Sequence, residues 1–183
     1  RDDLEFLDRL AGRNGARFRI TERVPENAVK QMDFRVASSL TTSFFLLLAT
    51  RHPRYLETGS EIPLTDTASL ANRSDKHHIF PKALLARNGV NTKEGNCLCN
   101  LCFLVAEENQ SIGSNKPAVY LEPYRRKRHF AAVMRSHLIP HKSDSAIWGR
   151  RVRAAYRKFA SDRQQIICRE FERHADMKLF QRS

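Results

Sequence analysis

The feature that most constrains this chain is the run Asp-Lys-His-His-Ile-Phe-Pro at residues 75–81. In an extended segment, neighbouring side chains point to opposite faces, so His77 and His78 are expected to have different surroundings. The apolar pair that follows is expected to anchor the segment in a core, and Pro81 to end the strand. Such a histidine pair can bind a metal with one ring and act on water with the other. Adjacent histidines also occur by chance, one of them as a hydrogen-bonded group in a core.

The residues after the pair indicate a hairpin followed by a helix. Asn100 opens a β-prone run, and the chain then turns polar and helical around Asn109. Between the two predicted strands, residues 82–87 can form a short helix that Asn88-Gly89 closes. The order of strand, loop, strand and helix is what a ββα metal finger requires, because the helix returns a neutral oxygen ligand to a metal beside the hairpin.

Over residues 72–121 the chain resembles the HNH endonucleases of the His-metal finger superfamily, through His77-His78, Asn100 and Asn109. A wider string looks like the C-terminal nuclease region of GmrSD-type restriction proteins, and SspE-type phosphorothioate-sensing nucleases look similar. That string comprises residues 72–82, 100–104, 109–113, Lys116-Pro117 and Tyr120-Leu121. Proteins of these types belong to prokaryotic anti-phage defence, and their N-terminal half is a ParB-like nucleotide-hydrolysing domain.

The resemblance implies a role for each residue of the motif. The second histidine of an HNH pair is the general base, here His78, and the first is a metal ligand, here His77. The helix asparagine, Asn109, completes the metal site, while Asn100 braces the hairpin and orients the base. From the residues alone, Asn109 can also be a helix cap and Asn100 a turn residue before a strand. Asp75 is either a partner of the metal site or only a turn residue.

The implied reaction is divalent-metal-dependent cleavage or nicking of DNA, which leaves 5′-phosphate and 3′-hydroxyl ends. An imidazole is available as a base near neutral pH. A divalent ion can neutralise the phosphate and stabilise the leaving oxygen. One histidine, one asparagine and waters suit Mg²⁺, and the imidazole also admits Mn²⁺ or Ni²⁺. Few side chains look placed to read base edges, so the nuclease region is expected to have low sequence specificity.

The charge of the chain indicates an anionic partner. The net charge is +12, and residues 124–163 are heavily basic whereas residues 1–122 are nearly balanced. The basic residues of this segment are Arg125, Arg126, Lys127, Arg128, Arg135, Lys142, Arg150, Arg151, Arg153, Arg157, Lys158 and Arg163. Such an excess beside a nuclease motif predicts contact with DNA phosphates, although each residue can also belong to a solvated helix face. Lys82 and Lys116 are further candidates for phosphate contact, with an ordinary exposed lysine as the alternative.

The remaining composition favours a cytoplasmic protein that is not in a membrane, and the resemblance implies a prokaryotic one. The longest apolar run is too short for a span, and the basic segment lacks the wide apolar face of an interfacial helix. Cys97, Cys99 and Cys102 lie close together, but a closed zinc site needs four ligands. They are therefore expected to be reduced, core-filling side chains in a reducing compartment. Because the sequence begins at Arg1, already in a charged helical pattern, we expect the ParB-like half to precede it.

The coarse organisation predicts an α+β chain with mostly helical content. We expect a helical N-terminal part at residues 1–71, the nuclease core at 72–121 and a basic helical part at 122–183. Helices are predicted at residues 1–11, 26–50 and 145–175, from apolar positions at helical spacing. Two alternatives to a nuclease stay open: a DNA-binding module with a structural finger only, and a module whose basic helices contact an acidic protein.

Overall fold

The computed structural model describes residues 24–31, 39–63, 65–66, 77–103, 113–175 and 179–181. The helices of these residues are α1 Ala28–Gln31, α2 Ser39–Ala49, α3 Lys82–Arg87, α4 Thr92–Gly95, α5 Pro117–Tyr120, α6 Phe130–Ser136 and α7 Val152–Ala175. Two 3₁₀ turns span Leu98–Asn100 and Ala146–Trp148. The strands are β1 Val24–Pro25, β2 His77–His78, β3 Leu101–Cys102 and β4 Phe180–Gln181. The prediction of an α+β, mostly helical chain is confirmed.

The predicted strand pair is present. β2 and β3 run antiparallel, with His77 opposite Cys102 and His78 opposite Leu101. The helix expected between them, α3, has the predicted bounds, and Gly89 follows it with a φ of +71°. This left-handed conformation is the usual end of a helix at glycine. A second, parallel pair joins β1 to β4.

The hairpin is anchored in the core by the apolar residues of its motif, as expected. Ile79 and Phe80 are 1% and 2% exposed. The Phe80 ring packs against Tyr156 and Phe159 of α7, at centroid distances of 5.4 and 5.2 Å. Burial of a phenylalanine side chain contributes roughly 1.5–3 kcal/mol. The strand that carries the histidines is therefore attached to the longest described helix.

The same core includes side chains from all three parts of the chain. Phe45 of α2 packs against Phe103, just after β3, at 5.1 Å between ring centroids. Ile167 and Cys168 of α7 and Val29 of α1 are also buried in this cluster. The described residues of the N-terminal, central and C-terminal parts thus pack together.

The start of the predicted C-terminal helix differs from the structure. The C-terminal helix begins at Val152 rather than near Ser145, because Gly149 interrupts it with an extended ψ of 141°. A side chain at Gly149 would place its Cβ 2.6 Å from that of Ala155, so the chain needs a glycine there. Of the helix predicted at residues 26–50, the structure describes α1 and α2, and residues 32–38 lie outside the described part. The helix predicted at residues 1–11 and the boundary between residues 71 and 72 also lie outside it.

Candidate active site

The two histidines of β2 have different surroundings. His77 is 2% exposed and lines a small cavity of about 20 Å³ with Tyr120, His137 and apolar side chains. The rings of His77 and Tyr120 meet edge to face at 6.4 Å. His78 is half-buried, and its Nε2 lies 2.9 Å from Oδ1 of Asn96. Of the pair, His78 is therefore the ring with access to solvent, and a side-chain hydrogen bond orients it.

Asn100 is the brace of the hairpin. Its side chain is fully buried, and its Oδ1 accepts from the Phe80 amide at 2.8 Å. Its Nδ2 donates to the carbonyls of Phe80 and Gly95, at 2.9 and 2.8 Å. These bonds hold the end of the histidine strand against the turn after α4. Asn100 itself ends the 3₁₀ turn Leu98–Asn100, so β3 begins one residue later than predicted.

A hydrogen bond from Tyr120 attaches α5 to the segment just after β2. Its hydroxyl donates to the Ile79 carbonyl at 2.8 Å. Burial holds the pKa of Tyr120 well above its usual range, so the phenol stays a neutral donor. The sequence offers no spacing signal for this contact, because the two residues are 41 positions apart.

Of the three candidate metal donors, His77 lies in the described part of the chain, whereas Asp75 and Asn109 lie outside it. Because His77 pairs with Cys102 in antiparallel register, the chain joins the hairpin at His77 and leaves it after Cys102, at the same end. In the chain, Asp75 precedes His77 by two positions, and Asn109 follows Cys102 by seven. Within the described ranges, no cluster of three or more His, Cys, Asp or Glu side chains could hold a metal. A metal at His77 would need Asp75, Asn109 or water for its other ligands.

The cysteines lie in the core, as predicted. Cys97, Cys99, Cys102 and Cys168 are all buried free thiols. A hydrogen bond from the Cys99 thiol lowers the pKa of Cys97 to about 7, whereas burial raises the pKa of Cys99 well above its usual value. Cys97 Sγ also lies 3.4 Å from the Tyr156 hydroxyl. All four thiols belong to the hydrophobic core cluster.

The four consecutive basic residues after Tyr124 are not equivalent. Arg125 lies over the Trp148 ring at 4.6 Å and 3.6 Å from the Glu122 carboxylate. Lys127 forms an ion pair with Glu57, and its hydrogen bond lowers the pKa of that carboxyl. Arg126 and Arg128 are exposed and have no ion-pair partner among the described residues.

The other basic residues predicted to contact phosphate differ in their exposure and in their ion pairing. Lys82, the first residue of α3, is exposed, and Lys116, just before α5, is half-buried. Arg157 pairs with Glu94, and Lys158 pairs with Asp162. The expectation that Arg163 belongs to the phosphate-binding segment is wrong, because its side chain is fully buried and donates to three carbonyl oxygens. A guanidinium in the core cannot reach DNA.

Asn96 is the polar residue of the site that the sequence does not indicate. It lies in the turn after α4, and its side chain reaches His78 across 18 positions. No motif spacing points to it, because α4 and its turn fall in the loop between the two predicted strands.

None of the described helices combines the length and apolar character that a membrane span needs. Comparison of the chain with protein-family models, with curated proteins and with solved structures found no match. A function for this chain therefore has to be argued from its own residues and their geometry.

Proposed function

We propose that this chain is a metal-dependent DNA endonuclease or nickase of the HNH, His-metal finger type. The observation that carries the proposal is the arrangement of the two histidines on one braced hairpin. His77 is buried and pairs with Cys102 across the hairpin. His78 is half-exposed and held by a hydrogen bond to Asn96. His77 is thus suited to bind a metal ion, and His78 is suited to accept a proton from water.

Within this proposal His78 is the general base. Its imidazole takes a proton from a water molecule as the water attacks the phosphorus, and the P–O3′ bond breaks to leave 5′-phosphate and 3′-hydroxyl ends. Asn100 does not touch the reacting atoms in this scheme and acts through the backbone of Phe80 and Gly95, which it holds. Its contribution is to keep the strand of His78 in a single position.

His77, Asn109 and Asp75 would hold the divalent ion, with Mg²⁺ preferred and Mn²⁺ or Ni²⁺ also suited to an imidazole. When bound, the ion supplies charge neutralisation at the phosphate and at the leaving oxygen. Because the His77 imidazole is buried, an ion bound to it would give up part of its hydration shell. The oxygens of an amide and a carboxylate suit the rest of the shell of a hard cation.

The DNA partner in this proposal is bound through its phosphates. Within the basic run 125–128, Arg126 and Arg128 are exposed and have no ion-pair partner among the described residues. These two side chains can therefore contact the phosphates of a DNA strand. Phosphate contacts position DNA without reading its sequence, so the cleavage step has low specificity. We further propose that the chain is the effector part of a cytoplasmic prokaryotic restriction system. A ParB-like nucleotide-hydrolysing domain of the same protein would then select the DNA.

The proposal is tested with supercoiled plasmid in the presence of Mg²⁺ or Mn²⁺. We expect the wild-type protein to nick the plasmid and His78→Ala to be slower by about 10²–10⁴-fold, the usual contribution of a general base. EDTA should abolish nicking. The control is His52→Ala, because the His52 side chain is 75% exposed and lies outside the site.

Equal background cleavage by wild-type protein and folded His78→Ala would reject the nuclease proposal. Retention of the plasmid without any cleavage would instead favour a DNA-binding module with a structural finger. Circular dichroism of each variant establishes that the compared proteins are folded.

A further inference from the structure

We propose that Asn96 is a positioning residue that sets the tautomer and the ring orientation of His78. This inference rests on the proposed function only for its catalytic consequence. Nε2 of His78 lies 2.9 Å from Oδ1 of Asn96. An amide oxygen only accepts hydrogen bonds, so the proton of the neutral ring resides on Nε2. Nδ1 is then the basic nitrogen, and it is the atom that receives the proton of the attacking water.

The position of Asn96 is itself determined by three backbone contacts in succession. Its own amide donates to the Thr92 carbonyl at 2.9 Å, which closes α4. The Gly95 carbonyl before it accepts from the Asn100 side chain, at 2.8 Å. The Cys97 carbonyl after it accepts from the Asn100 amide at 2.9 Å. Asn100 therefore holds the chain on both sides of Asn96.

A further set of contacts joins this turn to the long helix. The Tyr156 hydroxyl of α7 donates to the Glu94 carbonyl. Arg157 donates to both oxygens of the Glu94 carboxylate, at 2.8 and 3.2 Å. Asn96, whose side chain faces His78, thus lies in the turn that ends α4, and α4 is attached to α7.

Asn100 reaches the histidine by two routes. One runs through Phe80, two residues after His78 on the same chain segment, and the other through Gly95 to Asn96. The hairpin brace and the ring-orienting amide therefore form one connected unit. A hydrogen bond to the second nitrogen of a histidine is a usual way to select which nitrogen is basic.

The test is nitrogen-15 NMR of the imidazole at a pH where the ring is neutral. The His78 signal is assigned by its absence in His78→Ala. We expect wild-type protein to show the tautomer with hydrogen on Nε2. In Asn96→Leu we expect a mixture of tautomers, and in Asn96→Asp, which keeps an acceptor oxygen, the Nε2–H form. The matched control is Asn91→Ala, which removes the side-chain cap of the same helix and leaves His78 untouched.

Plasmid nicking is measured on the same variants. Loss of a partner that orients a functional histidine costs about 10–100-fold, and we expect this loss in Asn96→Leu, with recovery in Asn96→Asp. In the His78→Ala background, Asn96→Leu should have no further effect. Hydrogen on Nδ1 in wild-type protein, or an unchanged tautomer in Asn96→Leu, would overturn the inference. If the tautomer is as expected but wild-type protein cuts no DNA, the positioning role stands and the nuclease proposal fails.

Discussion

At the scale of single residues, Arg163 shows how a charged side chain can serve the core. Its guanidinium donates to the carbonyls of Leu138, Cys99 and His137, at 3.1, 2.9 and 2.8 Å. Burial lowers its pKa, but three oxygen acceptors at hydrogen-bond distance compensate for the lost water. Arg163 thus joins the turn before β3 to the segment after α6, and its charge does not contribute to the basic surface.

His137 is expected to make stability depend on pH. Burial, the main cause, lowers its pKa from 6.5 to about 4. Between these values the unfolded chain binds a proton that the folded chain does not, so the free energy of unfolding falls as the pH falls from 6.5 to about 4. For one such proton the slope is at most about 1.4 kcal/mol per pH unit.

Urea unfolding across this pH range checks the prediction. We expect His137→Gln to lose most of the slope that this proton contributes. The control is His52→Gln, which replaces a histidine whose side chain is 75% exposed, and we expect it to change the slope less than His137→Gln does. A slope that is identical in wild type and His137→Gln would show that another group is responsible.

At the scale of elements, the site depends on very short pieces of regular structure. β2 and β3 have two residues each, and α4 has four. An isolated two-stranded hairpin is marginally stable at best, so these elements need tertiary support. The support comes from the Asn100 side chain, the Tyr120 hydroxyl and the packing of Phe80 on α7.

The junction between the second 3₁₀ turn and α7 is expected to require glycine. A Cβ at Gly149 would lie 2.6 Å from Ala155 Cβ and 3.1 Å from the Ala146 carbonyl oxygen. We expect Gly149→Ala to lower the free energy of unfolding by about 1–3 kcal/mol, as other overpacked sites do.

A double-mutant cycle measured by urea unfolding locates this clash. In an Ala155→Gly background the cost of Gly149→Ala should shrink, because the facing methyl group is gone. In an Ala154→Gly background it should stay at its full value, since Ala154 is exposed on the same helix turn. Equal costs in both backgrounds would contradict the packing explanation.

At the scale of the whole molecule, the chain has a net charge of +12. The basic residues that contribute to it differ, because some form ion pairs and others are exposed. Arg125, Lys127, Arg157 and Lys158 form ion pairs with carboxylates, and Arg163 is buried. Other basic residues of the segment are exposed, namely Arg126, Arg128, Arg135, Lys142, Arg150, Arg151 and Arg153. Among the described residues of this segment, fewer cations are therefore available to an anionic partner than the number of basic residues indicates.

We expect the exposed arginines to dominate DNA retention. Replacing Arg126 and Arg128 with Gln should weaken binding to a duplex of any sequence and lower the salt slope of log K by about 2, one unit for each lost phosphate contact. The matched control replaces the paired residues Arg157 and Lys158 with Gln, which should change the slope less. Fluorescence anisotropy over a salt series measures both. Equal losses in the two double variants would contradict the distinction between paired and exposed cations.

The parts of the fold that could be predicted are those whose signals are local. The apolar pair after His78, the proline that follows it and the Asn88-Gly89 stop all act within a few residues, and the structure has β2 and α3 where they indicate. The predicted start of α7 is too early because apolar spacing continues through Ile147, while the clash that requires Gly149 involves packing rather than spacing. The pairing of Arg157 and Lys158 was missed because charge alone does not identify a partner.

For this protein, the order of residues alone specifies a histidine-bearing strand, a capped helix after it, a second strand and an excess of positive charge. The contacts that make the hairpin a candidate site arise only in the folded chain. Asn96 reaches His78 across 18 positions, Tyr120 reaches Ile79 across 41, and Arg163 reaches Cys99 across 64. Short-range patterns specify local conformation because caps and alternation act between near neighbours. Contacts at these separations depend instead on how the helices pack around the core.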